Sequence, residues 1–247
     1  MIKKQLFEEG NHAWFVLCRD PEKSEHVIDT NEYVIVSGGE GLILDPGGME
    51  IFAQVASTMA EVIPFTSIKH IFGSHQDPDV ISSLPLWAGL SPAAKIYVPW
   101  MWTGFLAHFG LESVNQFVPI PDEGMDIAFA NRARVKIIPA HYCHSAGNFS
   151  VYDAKAKILF SGDIGAGLLP KNYTGVFVEN FDQHIKYMEA FHKRWMPSNS
   201  AKNEWINRVR ALNVNMLCPQ HGAIFRGEQV NQFLDWFEAL EVGVWGK

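Results

Sequence analysis

Gly73-Ser74-His75-Gln76-Asp77-Pro78-Asp79-Val80 is the stretch on which the reading of this chain turns. It follows an apolar run, Ile68–Phe72, that predicts a buried strand, and it precedes an apolar-periodic run beginning at Val80. One imidazole and two carboxylates stand at i, i+2 and i+4, so on an extended strand end all three project from one face. A second reading is purely structural. Pro78 suits the first position of a helix, Asp77 its N-cap, and Asp79 its first turn, where the helix dipole favours an acid. The stretch alone leaves both readings open, and partners elsewhere in the chain have to decide.

Working outward, 247 residues suffice for a substantial core, and 47% apolar with 19% charged residues is the balance of a soluble globular protein. The formal charge of −7 argues against a general nucleic-acid or anionic-membrane surface. Met1–Glu9 lacks the apolar run of a signal peptide, and no apolar stretch is long enough to span a bilayer. Cys18, Cys143 and Cys218 are three in number and widely spaced, which fits free thiols better than a disulfide framework. The expected location is therefore the reducing cytoplasm. Eight Trp and seventeen Phe fit a filled interior or an aromatic-lined pocket.

Alternating runs Glu32–Ser37 and Gly41–Leu44 flank Gly38-Gly39-Glu40 and predict a hairpin, with Phe15–Cys18 as an earlier strand. Asp45-Pro46-Gly47-Gly48 then signals a turn before a helix over Ile51–Val62. Helices are expected around Ile81–Ala88 and Trp100–Phe109, with a strand at Lys95–Val98 between them. Five short strands follow, at Gln116–Pro119, Asp126–Phe129, Val135–Pro139, Asn148–Tyr152 and Ile158–Ser161. The last third predicts helices Phe181–Trp195, Asn199–Leu212 and Gln229–Glu241, interrupted by a strand Met216–Cys218. This order predicts two α/β halves packed sheet to sheet, helices outside, in a single domain over residues 1–247.

Three more polar sites fall where strands are expected to end, the usual place for sites in open α/β folds. They are His144 in His141-Tyr142-Cys143-His144-Ser145-Ala146-Gly147-Asn148, Asp163 in Ser161-Gly162-Asp163-Ile164-Gly165, and His221 in Cys218-Pro219-Gln220-His221-Gly222. Each has a structural alternative: a hydrogen-bonded loop histidine, a turn aspartate, and a histidine at a helix start. Three histidines and three carboxylates at strand ends are harder to assign to six separate structural duties.

This ordered set resembles the metallo-β-lactamase superfamily. The resemblance covers nearly the whole chain, including Leu42-Ile43-Leu44-Asp45-Pro46-Gly47-Gly48 as the early strand and turn. It implies an α/β fold, a four-layer αβ/βα sandwich with one or two metals at the sheet edge. Hydrolytic members carry His-x-His-x-Asp-His. Here Asp77 replaces the second histidine and Val80 the last, and Asn148 stands where many hydrolases carry another histidine. A carboxylate at Asp77 is similar to the di-iron branch, the flavodiiron oxygen and nitric-oxide reductases. Three carboxylates partly neutralise two divalent ions, and hard oxygen donors favour iron over zinc.

The resemblance implies a first metal on His75, Asp77 and His144, a bridging Asp163, and a second metal on Asp79 and His221. Val80 leaves a position of the second metal open or filled from outside, with His141 and Cys143 as substitute or neighbouring groups. The implied cofactor is two Fe, oxo-, hydroxo- or peroxo-bridged, with zinc or manganese as substitutes. The chain ends at Lys247 soon after the last predicted helix, so no flavodoxin-like FMN domain is expected. A stand-alone core of this kind is similar to oxygen-binding di-iron proteins of bacterial chemotaxis. The expected function is O₂ binding for oxygen sensing or redox signalling, with a signalling protein as partner. The alternatives are an O₂ or NO reductase served by an external electron donor, and a metal-dependent hydrolase. No nucleic acid or membrane partner is expected, and a homodimer is compatible. Trp87, Trp100 and Trp102 are read as core, with a pocket lining as the alternative, and the aromatic and Met spacing of His184–Met196 as an amphipathic core helix.

Overall fold

Continuous apolar runs make the central strands, and those strands place the polar turns that follow them. The computed structural model describes residues 1–20, 27–110 and 114–244, and the chain divides into two units, Met1–Val135 and Lys136–Lys247.

In the first unit, seven strands lie side by side in chain order: β1 (Ile2–Glu9), β2 (His12–Cys18), β3 (Asn31–Ser37), β4 (Glu40–Leu44), β5 (Ile68–Phe72), β6 (Lys95–Pro99) and β7 (Phe117–Ile120). β1 to β4 form an antiparallel meander, and β4 to β7 are parallel. Interior parallel strands are covered on both faces, which is why Leu42-Ile43-Leu44 and Ile71-Phe72 are apolar without alternation. The register pairs Leu44 with Phe72, so Asp45–Gly48 and Gly73–Val80 leave the sheet at the same edge. Asp45 N–H donates to Phe72 O at 2.9 Å, and Gly47 N–H donates to Val80 O at 3.0 Å. Helices α1 (Phe52–Met59), α2 (Pro78–Ile81) and α3 (Leu84–Leu90) bury Val55, Met59, Val80, Ile81, Leu84 and Trp87 with Ile71 and Ile96. Each such side chain contributes about 1.5–3 kcal/mol of burial.

The second sheet has the order β13-β12-β11-β10-β9-β8, made of β8 (Asp126–Ala128), β9 (Arg134–Pro139), β10 (Phe149–Asp153), β11 (Ile158–Gly162), β12 (Met216–Pro219) and β13 (Phe225–Arg226). Only β11 and β12 pair parallel among the registered pairs, so Asp163 and Gln220-His221 leave adjacent strand ends. Following the one-turn helix α4 (Thr103–Leu106), the longer helices are α5 (Phe181–Trp195), α6 (Asn199–Arg210) and α7 (Glu228–Ala239). The side chain of Asn180 caps α5 by accepting from Gln183 N–H, and Ser198 caps α6 through Ala201 N–H. Met188, Trp205, Phe225, Phe233 and Phe237 form the core of this unit.

Several expectations need correction. β1 was not predicted because it is an edge strand whose Lys3, Lys4, Glu8 and Glu9 break the apolar alternation. The helix expected over Ile81–Ala88 is two helices, since Pro85 lacks the N–H and crowds the preceding turn. Trp100–Phe109 is one α-turn, α4, between two 3₁₀ turns. Trp87 is core, but Trp100 is exposed and its Nε1–H donates to Asp122 Oδ1 at 2.7 Å.

Candidate metal centre

Each unit carries one part of the predicted donor set. In the first, Asp45 stands at φ +49°, fully buried, directly after β4. Its Oδ1 accepts Ser74 N–H at 2.7 Å and its Oδ2 accepts the Ser74 hydroxyl at 2.6 Å. Ser74 Oγ lies 2.8 Å from His75 Nδ1. With the hydroxyl proton committed to Asp45, Ser74 Oγ accepts from Nδ1–H, and the lone pair of His75 is fixed on Nε2. The Asp45 turn is itself pinned: Trp87 Nε1–H donates to Pro46 O at 3.2 Å, and Ser83 Oγ–H donates to Gly47 O at 2.6 Å.

His75 Nε2 faces Asp77 Oδ2 at 3.6 Å, beyond hydrogen-bond length. Two donors each about 2.1 Å from one ion, and 90–120° apart at it, stand about 3.0–3.6 Å from each other. The separation therefore suits a shared metal. Gln76 Nε2–H donates to Asp77 Oδ1 at 3.1 Å, which leaves Oδ2 for His75. Asp77 occupies the N-cap position of α2, yet its side chain makes no capping bond; its carbonyl accepts from Val80 and Ile81 N–H instead. Pro78 starts the helix while the Asp77 carboxylate turns to His75, and Asp79 lies in the first helical turn rather than on the extended strand end that the i, i+2, i+4 spacing predicts. Asp79 sits half-buried in the first turn of α2, and Val80 is fully buried among apolar side chains.

In the second unit, His144 adopts φ +84°, a left-handed conformation costly for a non-glycine residue and typical of functional turns. Tyr142 N–H to Ser145 O at 2.8 Å and Cys143 N–H to Ala140 O at 2.9 Å hold that turn. Asp163 divides its carboxylate between two histidines: Oδ2 lies 3.7 Å from His144 Nε2, and Oδ1 lies 3.6 Å from His221 Nε2. Such a division suits a carboxylate that bridges two ions. His221 precedes Gly222, where φ is +88° and a Cβ would come 2.7 Å from Gly167 N. Only glycine fits there, and no helix follows, so the helix-start alternative for His221 is excluded.

The substitute groups fare differently. Cys143 is buried in the apolar core, and burial pushes its thiol up to about 12 in the metal-free chain. His141 lies edge-on against Phe149, with ring centroids 5.0 Å apart. The sequence reading missed Asp45 and Ser74 as supports. It bounded α5 but not its packing on the site: Trp195 lies edge-on to His144 at 5.2 Å, with Phe191 at 6.1 Å. The three imidazoles and three carboxylates are a donor set that fits iron, which takes nitrogen and hard oxygen ligands together.

A family model for ODP family beta lactamases matches residues 28–222. The chain therefore belongs to the ODP beta lactamase family, and its two sheets with their helices are the metallo-β-lactamase-like fold. Among solved structures it is similar to one described as the peroxy diiron species of the chemotaxis sensor ODP, at 41% identity over 98% of this chain and 97% of that chain, with a TM-score of 0.88. The apo state of the chemotaxis sensor ODP from T. denticola is 42% identical over 98% and 96% of the two chains, again with a TM-score of 0.88. The rubredoxin oxygen:oxidoreductase of the anaerobe Desulfovibrio gigas shares the fold at 17% identity, covering 95% of this chain and 61% of that one, with a TM-score of 0.81. No curated protein matches. Among the described residues, no helix is long and apolar enough to cross a membrane.

Proposed function

We propose that this chain is a di-iron O₂-binding protein that acts in oxygen sensing. The observation that carries the reading is the Asp163 carboxylate, with one oxygen toward His144 and the other toward His221. His75, Asp77 and His144 would hold the first iron, Asp79 and His221 the second, and Asp163 would offer one carboxylate oxygen to each. A ferrous pair supplies the reducing equivalents that make O₂ a ligand. The chain's own part is to aim His75 Nε2 through Ser74 and Asp45, and to offer three carboxylates that offset the ions' charge. Val80 is apolar and fully buried, so it supplies neither a ligand nor a proton. That favours retention of bound O₂ over its protonation and further reduction.

The signalling role is supported by the relatives at 41% and 42% identity, both chemotaxis sensors. The partner is a cytoplasmic signalling protein, and a homodimer is compatible with the reading. The reductase alternative has a likeness of fold alone.

The test is anaerobic iron loading, metal analysis, and absorption spectra before and after air. Two irons per chain and oxygen-dependent bands that persist are expected. Zinc alone without such bands would sink the proposal, and rapid bleaching with NADH and a donor flavoprotein would replace it with a reductase.

A further inference from the structure

α5 has the pattern of an ordinary core helix, but one buried residue on it does more than fill space. His192 is fully buried in an aromatic box, with the rings of Phe233, Trp236 and Phe237 at 6.2, 5.5 and 5.2 Å. Its Nδ1 lies 2.9 Å from Met188 O. A carbonyl only accepts, so Nδ1 carries the proton and Nε2 is an acceptor. Gly165 N–H donates to that Nε2 at 3.0 Å. Burial pushes His192 down to about 4, so the acceptor is present at neutral pH.

Gly165 follows Asp163 by two residues, at φ +93°, with Leu217 and Phe225 closing over it. The same turn is tied by Ala166 N–H to Asp163 O at 3.0 Å and by Ser161 Oγ–H to Ile164 O at 2.6 Å. Within this turn the Gly165 amide is anchored to a side chain from another element. Without that acceptor, a buried N–H is left unpaired in apolar surroundings, and the peptide gains by rotating away. Rotation there shifts the backbone that carries Asp163, whereas metal ligands hold their distances to about 0.2 Å.

We propose that His192 is a positioning residue for the metal centre: through the Gly165 N–H it fixes the turn that divides the Asp163 oxygens between His144 and His221. This rests on the reading of Asp163 as a bridge. The test compares full-length wild type with His192→Phe and His192→Leu, which lack the acceptor, and with His192→Gln, whose Oε1 replaces Nε2. Two quantities are read: hydrogen exchange of the Gly165 amide in metal-free protein, and Co²⁺ titration followed by absorption. Loss of a group that supports a ligand typically weakens metal binding about 10–100-fold. That loss is expected for the second Co²⁺ in whichever of the Phe and Leu variants folds, with faster Gly165 exchange. His192→Gln should restore both to about wild-type values. A folded Phe or Leu variant with wild-type Co²⁺ affinity overturns the proposal, as does a Gln variant no better than Leu. A wild type that takes one Co²⁺ sinks the bridging reading instead, and the exchange arm still decides whether His192 fixes the Asp163 turn.

Discussion

Asp45 Oδ2 accepts a hydrogen bond from the Ser74 hydroxyl at 2.6 Å, and that one bond sets the tautomer of the neighbouring His75. The two residues are 29 positions apart and meet because β4 and β5 pair in parallel with Leu44 beside Phe72. Ser74→Ala should therefore weaken the first metal about 10–100-fold, as losses of ligand-supporting groups do. It should also cost about 1–3 kcal/mol of metal-free stability, because the Asp45 carboxylate stays buried with one partner fewer. Metal titration and urea melts measure the two effects. Unchanged metal affinity would show that Ser74 has only a structural duty.

Asp163→Ala removes a carboxylate that faces both His144 and His221. Metal analysis should fall from two ions per chain to one or none, while the apo variant keeps its cooperative melt. Unchanged stoichiometry refutes the bridging role.

What the sequence makes legible here follows the range of the interactions. Ile68–Phe72 and Leu42–Leu44 announce themselves because a strand covered on both faces is apolar throughout, and the turns after such strands are the natural place for His75 and Asp45. α5 could be bounded residue for residue, since its period and the Asn180 cap are local signals. The use made of those residues is not local. His192 shares the buried stripe of Phe181, His184 and Met188, and nothing near it in the chain says that its Nε2 meets an amide 27 residues earlier. The Asp45–Ser74 contact was hidden for the same reason. β1 was missed on other grounds, because an edge strand keeps charges on both faces and leaves no pattern.

Val80 is fully buried among Ile81, Leu84 and Trp87, at the position where the resemblance to the superfamily implies a histidine in hydrolytic members. Val80→His should restore an N–H donor and a ligand, at a stability cost of about 1–3 kcal/mol for a polar ring in an apolar setting. In the iron-loaded variant the oxygen-dependent absorption should fade faster than in wild type, by about an order of magnitude or more if one general acid is regained. Stopped-flow spectra after mixing with O₂ provide the measurement, and an equally persistent spectrum would remove Val80 from the account of O₂ retention.

The pH dependence of the metal-free protein supplies a test that needs no metal. His192 titrates at about 4 in the folded chain against an ordinary value of 6.5. The unfolded chain therefore takes up a proton below about 6.5 that the folded chain refuses until about 4, so stability is full above that range and falls as pH drops through it. From pH 7 to pH 5 this group alone should remove roughly 2 kcal/mol. His192→Phe, which has nothing to titrate, should lose correspondingly less over the same interval, although it starts from a lower stability at pH 7. Urea melts of both proteins at the two pH values isolate the difference, which cancels the carboxylates and the other histidines common to both. Equal losses would mean that the imidazole is reached by solvent protons in the folded state, and that its Nε2 is not the fixed acceptor of the Gly165 amide.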